Sequence, residues 1–177
     1  RLMSVELRFA DVSEGDSLPE LTVEVTPTTV VLGALASRDW RPMHHDYKFA
    51  TVRNGVQDIF LNTPNQAAWI ERYITDWTGP RGRLGQMTFR MRDSVFPGDH
   101  MTFTGRVSAT STDHTGCGWV ELEITLTATA GSVDGSTNDP RVATTCTARV
   151  AVATNDDDNP WSRRGDDWQP SNKQGTD

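Results

Sequence analysis

Between Leu21 and Thr26 apolar and polar residues alternate, the period of a half-buried strand. Thr26-Pro27 then offers a capping side chain and a proline at the first helical position, which predicts a short helix through about Ala36. The stretch SRDWRPMHHDYKFA that follows has no period, and Pro42 breaks any regular element within it. From Gly55 to Trp77, positions Val56, Ile59, Phe60, Thr63, Ala67, Ile70, Ile74 and Trp77 recur at spacings of three and four. They predict one face of a helix of roughly six turns, kinked at Pro64 and capped by Asn54-Gly55 at its start. After the turn TGPRGRLG the period falls to two. Met87, Phe89 and Met91 alternate with polar residues, then Met101 to Ala109, Val120 to Ala128, and Cys146 to Val152, with turns at Pro97-Gly98-Asp99, DHTGCG and VDGSTNDP. Consecutive strands joined by hairpins form an antiparallel sheet, and the long helix must pack on its apolar face, an α+β fold.

This pattern stops at about Thr154. Residues 155–177 are polar apart from Trp161 and Trp168, so they form a tail beyond a single domain of residues 1–154. Such a segment buries too little apolar surface to offset its ordering entropy and is expected to be disordered alone. The two tryptophans suit docking on a partner. A net charge of -7 argues against general nucleic-acid binding. No run of 18 apolar residues occurs, so no membrane span is expected. No charged-then-apolar leader follows Arg1, and Cys117 and Cys146 are the only cysteines; reduced thiols in a cytoplasmic protein are expected.

Asp39, His44, His45 and Asp46 place four ionisable side chains within eight residues. They are compatible with a solvated loop, or with a carboxylate and an imidazole that jointly hold a water for acid–base work. A metal site is disfavoured, because adjacent residues rarely face one ion and no HxxxH or cysteine pair complements them, so no metal and no cofactor is expected.

The segment D-W-R-P-M-H-H-D-Y-K-F-A, Asp39 to Ala50, resembles the D-x-N-P-[LIV]-H-x-D-x-x-x-A signature of MaoC-like (R)-specific enoyl-CoA hydratases. Asp39 and His44 hold the two catalytic positions, with Pro42, Asp46 and Ala50 in register. Arg41 stands where the family has Asn, and Arg38 where it has Gly. G-D-S-L-P-E-L at Gly15 to Leu21 is similar to the segment preceding the signature, and N-G-V at Asn54 to Val56 to the H-G-[ML] that opens the family's central helix. The connection from Asp39 to Gly55 is shorter than usual, without room for the family's active-site overhang. F-R-M-R-D-S-V-F-P-G-D, Phe89 to Asp99, is similar to a strand and turn of the same family. HHD, G-V-Q-D-I-F-L-N and T-D-W-T-G-P also resemble the small MaoC-like subunits of actinobacterial steroid side-chain degradation.

The resemblance implies a single hotdog, an antiparallel sheet wrapped around a long central helix. It implies hydration of the trans-2 double bond of a bulky, steroid-side-chain type of enoyl-CoA, with Asp39 and His44 activating water. The Gly55 N–H at the expected helix start is then the oxyanion donor. His45, Asn54, Val56 and Ile59 are substrate-binding candidates, and Arg81 and Arg83, with Arg90 and Arg92, are candidates for the coenzyme A phosphates. One hotdog has no room for a bulky acyl-CoA, so a second hotdog subunit is expected, of the kind that carries a zinc-ribbon-like acyl-CoA-binding extension. Two alternatives stand beside the hydratase. One is a hotdog thioesterase, for which Asp58 is the only carboxylate near the helix start; the other is a non-catalytic acyl-CoA-binding subunit.

Overall fold

A computed structural model of the chain describes residues 7–131 and 138–171. The loop expected at 133–140 and the end of the tail lie partly outside the described residues. Five strands, β1 (Ser17–Glu24), β2 (Arg83–Met91), β3 (Asp99–Thr112), β4 (Gly118–Ala130) and β5 (Arg141–Val152), form one antiparallel sheet in the order β1-β3-β4-β5-β2. Two helices, α1 (Pro27–Ala36) and α2 (Thr63–Thr78), complete the frame. The period-two apolar residues of the strands, among them Met101, Phe103, Leu122, Ile124 and Leu126, pack against Ile70, Tyr73 and Ile74 of α2. The Tyr73 ring stacks on Phe103 at 5.7 Å between centroids. A sheet wrapped on one central helix is the hotdog arrangement. No helix of the described residues is long and apolar enough to cross a membrane.

The central helix is shorter than its pattern predicts. It starts at Thr63, with Asn62 as its cap, and not at Gly55. Pro64 therefore sits in the first turn, where a missing N–H costs nothing, and does not kink the helix. Residues 47–53 instead form a separate turn, with a π-helical stretch over Phe49–Arg53, and Gly55 follows it at φ 71°. Val56 and Ile59 keep the helical spacing without a helix; with Leu61 they face the core from an irregular segment, which a Leu61 N–H to Val95 carbonyl bond of 3.0 Å ties down.

Helix α1 lies against α2 through one close approach. A Cβ at Gly33 would fall 1.8 Å from Asn65 Nδ2, the amide that donates to the Thr29 carbonyl at 3.0 Å. The end of α1 is a Schellman turn: Arg38 N–H bonds the Leu35 carbonyl (3.1 Å) and Asp39 N–H bonds the Ala34 carbonyl (2.9 Å). Such a turn needs a left-handed residue, and Arg38 adopts it at φ 54°, the one non-glycine among the described residues to do so. The resemblance's usual glycine before Asp39 thus has a geometric reason.

The tail, expected to be disordered alone, folds back on the chain's own sheet through residue 171. Trp168 packs on Trp119 at 5.0 Å, and the Arg83 guanidinium lies 3.6 Å from the Trp168 ring centroid. Trp161 donates from its indole to the Gly82 carbonyl at 3.2 Å. Arg163 reaches the Thr115 and Gly116 carbonyls in the β3–β4 turn. Burial opposes the charge of Asp113 in that turn, yet bonds from the Trp119 indole, Thr115 and the Cys117 N–H hold its carboxyl down at about 2.

Gly33→Ala separates two opposing effects. In an isolated helix the change would stabilise by about 1 kcal/mol. Here the methyl displaces the Asn65 amide, and a net loss of about 2 kcal/mol in chemical denaturation is expected; a stabilised variant would refute the close approach.

Candidate active site

The Schellman turn leaves Asp39 with its backbone fixed and its carboxylate free. Oδ1 accepts the Arg41 N–H at 3.3 Å, and Oδ2 accepts the Asn62 side-chain amide at 3.1 Å. Asn62 is 1% exposed and uses its whole carboxamide. Its Nδ2 also donates to Ser37 Oγ at 2.8 Å, and its Oδ1 accepts the Asn65 N–H at 3.2 Å as the cap of α2. One side chain thus joins the end of α1, the Asp39 carboxylate and the start of α2. Donation from Asn62 is the largest influence on Asp39 and holds its carboxyl below the ordinary value; partial burial opposes this, and the Arg41 N–H and the His44 and Arg41 charges assist.

His44 arrives from the short 3-10 turn Pro42–His44, with Pro42 at its first position. Its side chain is 6% exposed against 20% for Asp39. Nδ1 lies 2.7 Å from the Phe60 carbonyl, which only accepts, so Nδ1 carries the hydrogen. The ring edge meets Phe60 at 4.9 Å, which fixes its plane. In the neutral imidazole Nε2 is then the acceptor, and it lies 3.5 Å from Asp39 Oδ2. With the imidazole neutral, a donor of two hydrogens seated beside both atoms would bond each of them.

The other candidates separate from this pair. His45 is exposed while His44 is buried, and Asp46 caps the following turn by accepting the Phe49 N–H at 3.0 Å. Asn54 and Gly55 are exposed and lie ahead of α2, so Gly55 has no helix N-terminus behind it. Ile59 is a core residue and Val56 packs on the same core. Asp58 accepts its neighbour's N–H, from Ile59, at 2.7 Å. Arg81 donates to the Asp156 and Asp158 carbonyls, and Arg83 to those of Pro160 and Arg163, so both hold the tail. Among the described residues no three His, Cys, Asp or Glu side chains converge as a metal site would need. The residue that sequence reasoning missed is Asn62, although Asn62-Thr63-Pro64 carries the same cap-then-proline signal as Thr26-Pro27.

The true start of α2 offers one free donor. Of its first N–H groups, Pro64 has none, Asn65 bonds Asn62 Oδ1, and Gln66 bonds the Asn62 carbonyl. Thr63 N–H is left for an outside acceptor, one residue from the side chain that touches Asp39. Clefts of the described residues lie elsewhere, among them one of about 410 Å³ on the outer sheet face among Thr88, Glu123 and Thr147, one of about 300 Å³ among Ser17, Thr104 and Arg106, and one of about 260 Å³ along residues 46–53. None of these is lined by Asp39 or His44.

Asn62→Ala tests the junction. Loss of the cap and of two donated bonds is expected to lower stability by about 2 kcal/mol. A lowered carboxyl pKa contributes stability above the ordinary carboxylate range, and that contribution is lost as pH falls through the folded value. The variant should therefore raise the Asp39 pKa in a carbon-13 NMR titration and shrink its acid-linked loss of stability. An unmoved Asp39 titration would show that Asn62 serves only as a cap.

No family model matches the chain. It is 39% identical over 95 residues to the beta subunit of the 3-oxo-4,17-pregnadiene-20-carboxyl-CoA hydratase of Mycobacterium tuberculosis, across 54% of this chain and 73% of that protein. A chain of the ChsH1-ChsH2 complex from Mycobacterium tuberculosis superposes with a TM-score of 0.67 at 29% identity, covering 79% of this chain and 98% of that one. The (R)-hydratase PhaJ1 of Pseudomonas aeruginosa superposes with a TM-score of 0.68, covering 85% and 88%; at 18% identity that likeness is one of fold. With the hotdog frame and the Asp39–His44 segment in place, these relationships establish that the chain belongs to the MaoC-like hydratase family.

Proposed function

We propose that this chain is the hydratase subunit that supplies the acid–base pair for adding water to the trans-2 double bond of a bulky, steroid-side-chain enoyl-CoA. The observation that carries the reading is the 3.5 Å approach of Asp39 Oδ2 and His44 Nε2, with His44 Nδ1 held by the Phe60 carbonyl. A water that donates one hydrogen to each acceptor is oriented and made nucleophilic. Its oxygen bonds to the β-carbon as the double-bond electrons move toward the thioester oxygen. The proton, held by the pair, then passes to the α-carbon from the same side as electrons return from the enolate. No atom beyond one water is consumed.

The enolate oxygen needs a donor, and we assign this to Thr63 N–H at the N-terminus of α2 in place of Gly55. The positive end of a 16-residue helix and an N–H without an intrahelical partner support that role. The steroidal acyl class rests on the M. tuberculosis relative, whose name specifies a pregnadiene-carboxyl-CoA.

A second subunit is part of the proposal. Neither Asp39 nor His44 lines any of the clefts described above, and apolar side chains of the neighbouring elements are exposed: Leu32 and Leu35 on α1, and Trp40, which is 67% exposed next to Asp39. Such a surface suits a second hotdog that completes the acyl tunnel. The similar chain in the ChsH1-ChsH2 complex supports a hetero-oligomer.

Asp39→Asn and His44→Ala should each slow hydration of a steroidal enoyl-CoA by roughly 10²–10⁴-fold in kcat, while the substrate still binds. The assay is loss of enoyl absorbance, run with the chain and its partner hotdog together, with free thiol measured in parallel. Wild-type rates in both variants would favour a structural subunit, and thiol release would favour a thioesterase.

A further inference from the structure

His44 is held through Phe60, whose carbonyl meets Nδ1 and whose ring meets the imidazole edge, so whatever fixes Phe60 also fixes the base. Phe60 itself lies outside every helix and strand. Its anchors come from the connection between β2 and β3. The Phe60 ring meets the Phe96 ring edge-on, with centroids 6.2 Å apart and planes at 72°. The next residue, Leu61, donates its N–H to the Val95 carbonyl at 3.0 Å. Both anchoring residues are buried.

That connection is irregular too, and an ion pair on a buried carboxylate shapes it. Asp99, 2% exposed at the start of β3, accepts the Phe96 N–H on Oδ2 at 2.8 Å, and its own N–H returns to the Phe96 carbonyl at 3.1 Å. Arg141, the first residue of β5, meets the Asp99 carboxylate with both terminal nitrogens. The same guanidinium donates to the Ser94 carbonyl at 3.0 Å, pairs with Asp93 at 3.1 Å and lies 5.9 Å from the Phe96 ring centroid. A carboxylate so buried is costly without its partner, so Arg141 and Asp99 hold residues 93–99 in one geometry. Contacts thus run without a break from Arg141 through Phe96 and Phe60 to His44. The Arg106–Glu123 pair, by contrast, joins two exposed side chains on the outer sheet face.

We infer that Phe96, Asp99 and Arg141 are positioning residues of the acid–base pair, acting on His44 through Phe60. The inference rests on the hydratase reading only for what His44 does once it is set. The Phe96 ring limits how the Phe60 ring can turn, and the Leu61–Val95 bond limits how the Phe60 carbonyl can move. With either slackened, Nδ1 loses the direction of its acceptor and Nε2 its alignment with Asp39 Oδ2. The carboxylate does not follow, because its place is set by the Asn62 junction. A misplacement of about 1 Å in a catalytic group costs up to roughly 10²-fold in rate. That cost falls on the chemical step, since the base and not the bound acyl chain is displaced.

The test joins imidazole nitrogen-15 NMR of the full-length chain to kinetics of the assembled hydratase. His44, assigned by comparison with H44A, is expected to show the Nδ1–H form of the neutral ring in the wild type. Phe96→Leu keeps apolar volume but removes the ring. It should mix the two neutral tautomers and lower kcat by roughly tenfold to 10²-fold with KM little changed. Phe96→Tyr, which keeps the ring, should retain the wild-type spectrum and most of the rate. The double variant D99N/R141M removes the ion pair without stranding a buried charge and should behave as Phe96→Leu does. Arg106→Gln, which breaks the exposed pair, should change neither readout. Thermal melts set a temperature at which every variant is folded. An unmixed tautomer in both Phe96→Leu and D99N/R141M, a mixed tautomer at wild-type kcat, or an equal effect of Arg106→Gln would each overturn the positioning role. A wild type that hydrates no enoyl-CoA would remove the hydratase reading, and the NMR series alone would then decide whether these three residues set His44.

Discussion

The Asn62 carboxamide is the joint on which the site depends. Its amide hydrogens go to Ser37 and Asp39 at the end of α1, and its oxygen takes the Asn65 N–H in the first turn of α2. A buried amide in this position has no water to fall back on, so displacing any of the three partners leaves an unsatisfied group in a low-dielectric setting. That cost makes the geometry of helix end, carboxylate and helix start a single unit. Gly33 keeps α1 close enough to α2 for the unit to close, and Asn65 anchors that contact to the Thr29 carbonyl.

His44 is held differently. Its ring is set by one carbonyl and one aromatic edge, both from Phe60, in the irregular segment between the π-helical turn and α2. The two halves of the pair therefore come from separate supports: the carboxylate from the helix junction, the imidazole from the segment that precedes α2. Leu61 bonded to Val95 keeps those supports in register.

The strands, the first helix and the Asp39–His44 segment were readable because their signals are local: period-two alternation, a cap followed by proline, and a short polar motif. The start of the central helix was not, for a specific reason. Val56 and Ile59 continue the helical spacing of α2 although they reach the same core from an irregular segment, and periodicity reports burial without reporting backbone. Pro64 and Asn62 carried the correcting signal, a helix beginning, which a kink reading hid. The ordered tail was hidden for another reason. Its composition is that of a disordered segment, and its order comes from arginines and a tryptophan far away in sequence.

What those arginines grip is main chain. Arg81 and Arg83 bond the carbonyls of residues 156, 158, 160 and 163, and Trp161 in turn bonds the carbonyl of Gly82. Carbonyl oxygens are the same for every residue type, so much of this strap is blind to the side chains it holds. Apart from Trp161, Trp168, Asp156, which pairs with Arg8, and Arg163 with the Asp158 that pairs with it, its sequence is free to drift over evolutionary time. Its length is not, because one inserted or deleted residue shifts every carbonyl out of reach of its guanidinium. Divergent relatives with this device would be recognised by spacing and not by letters.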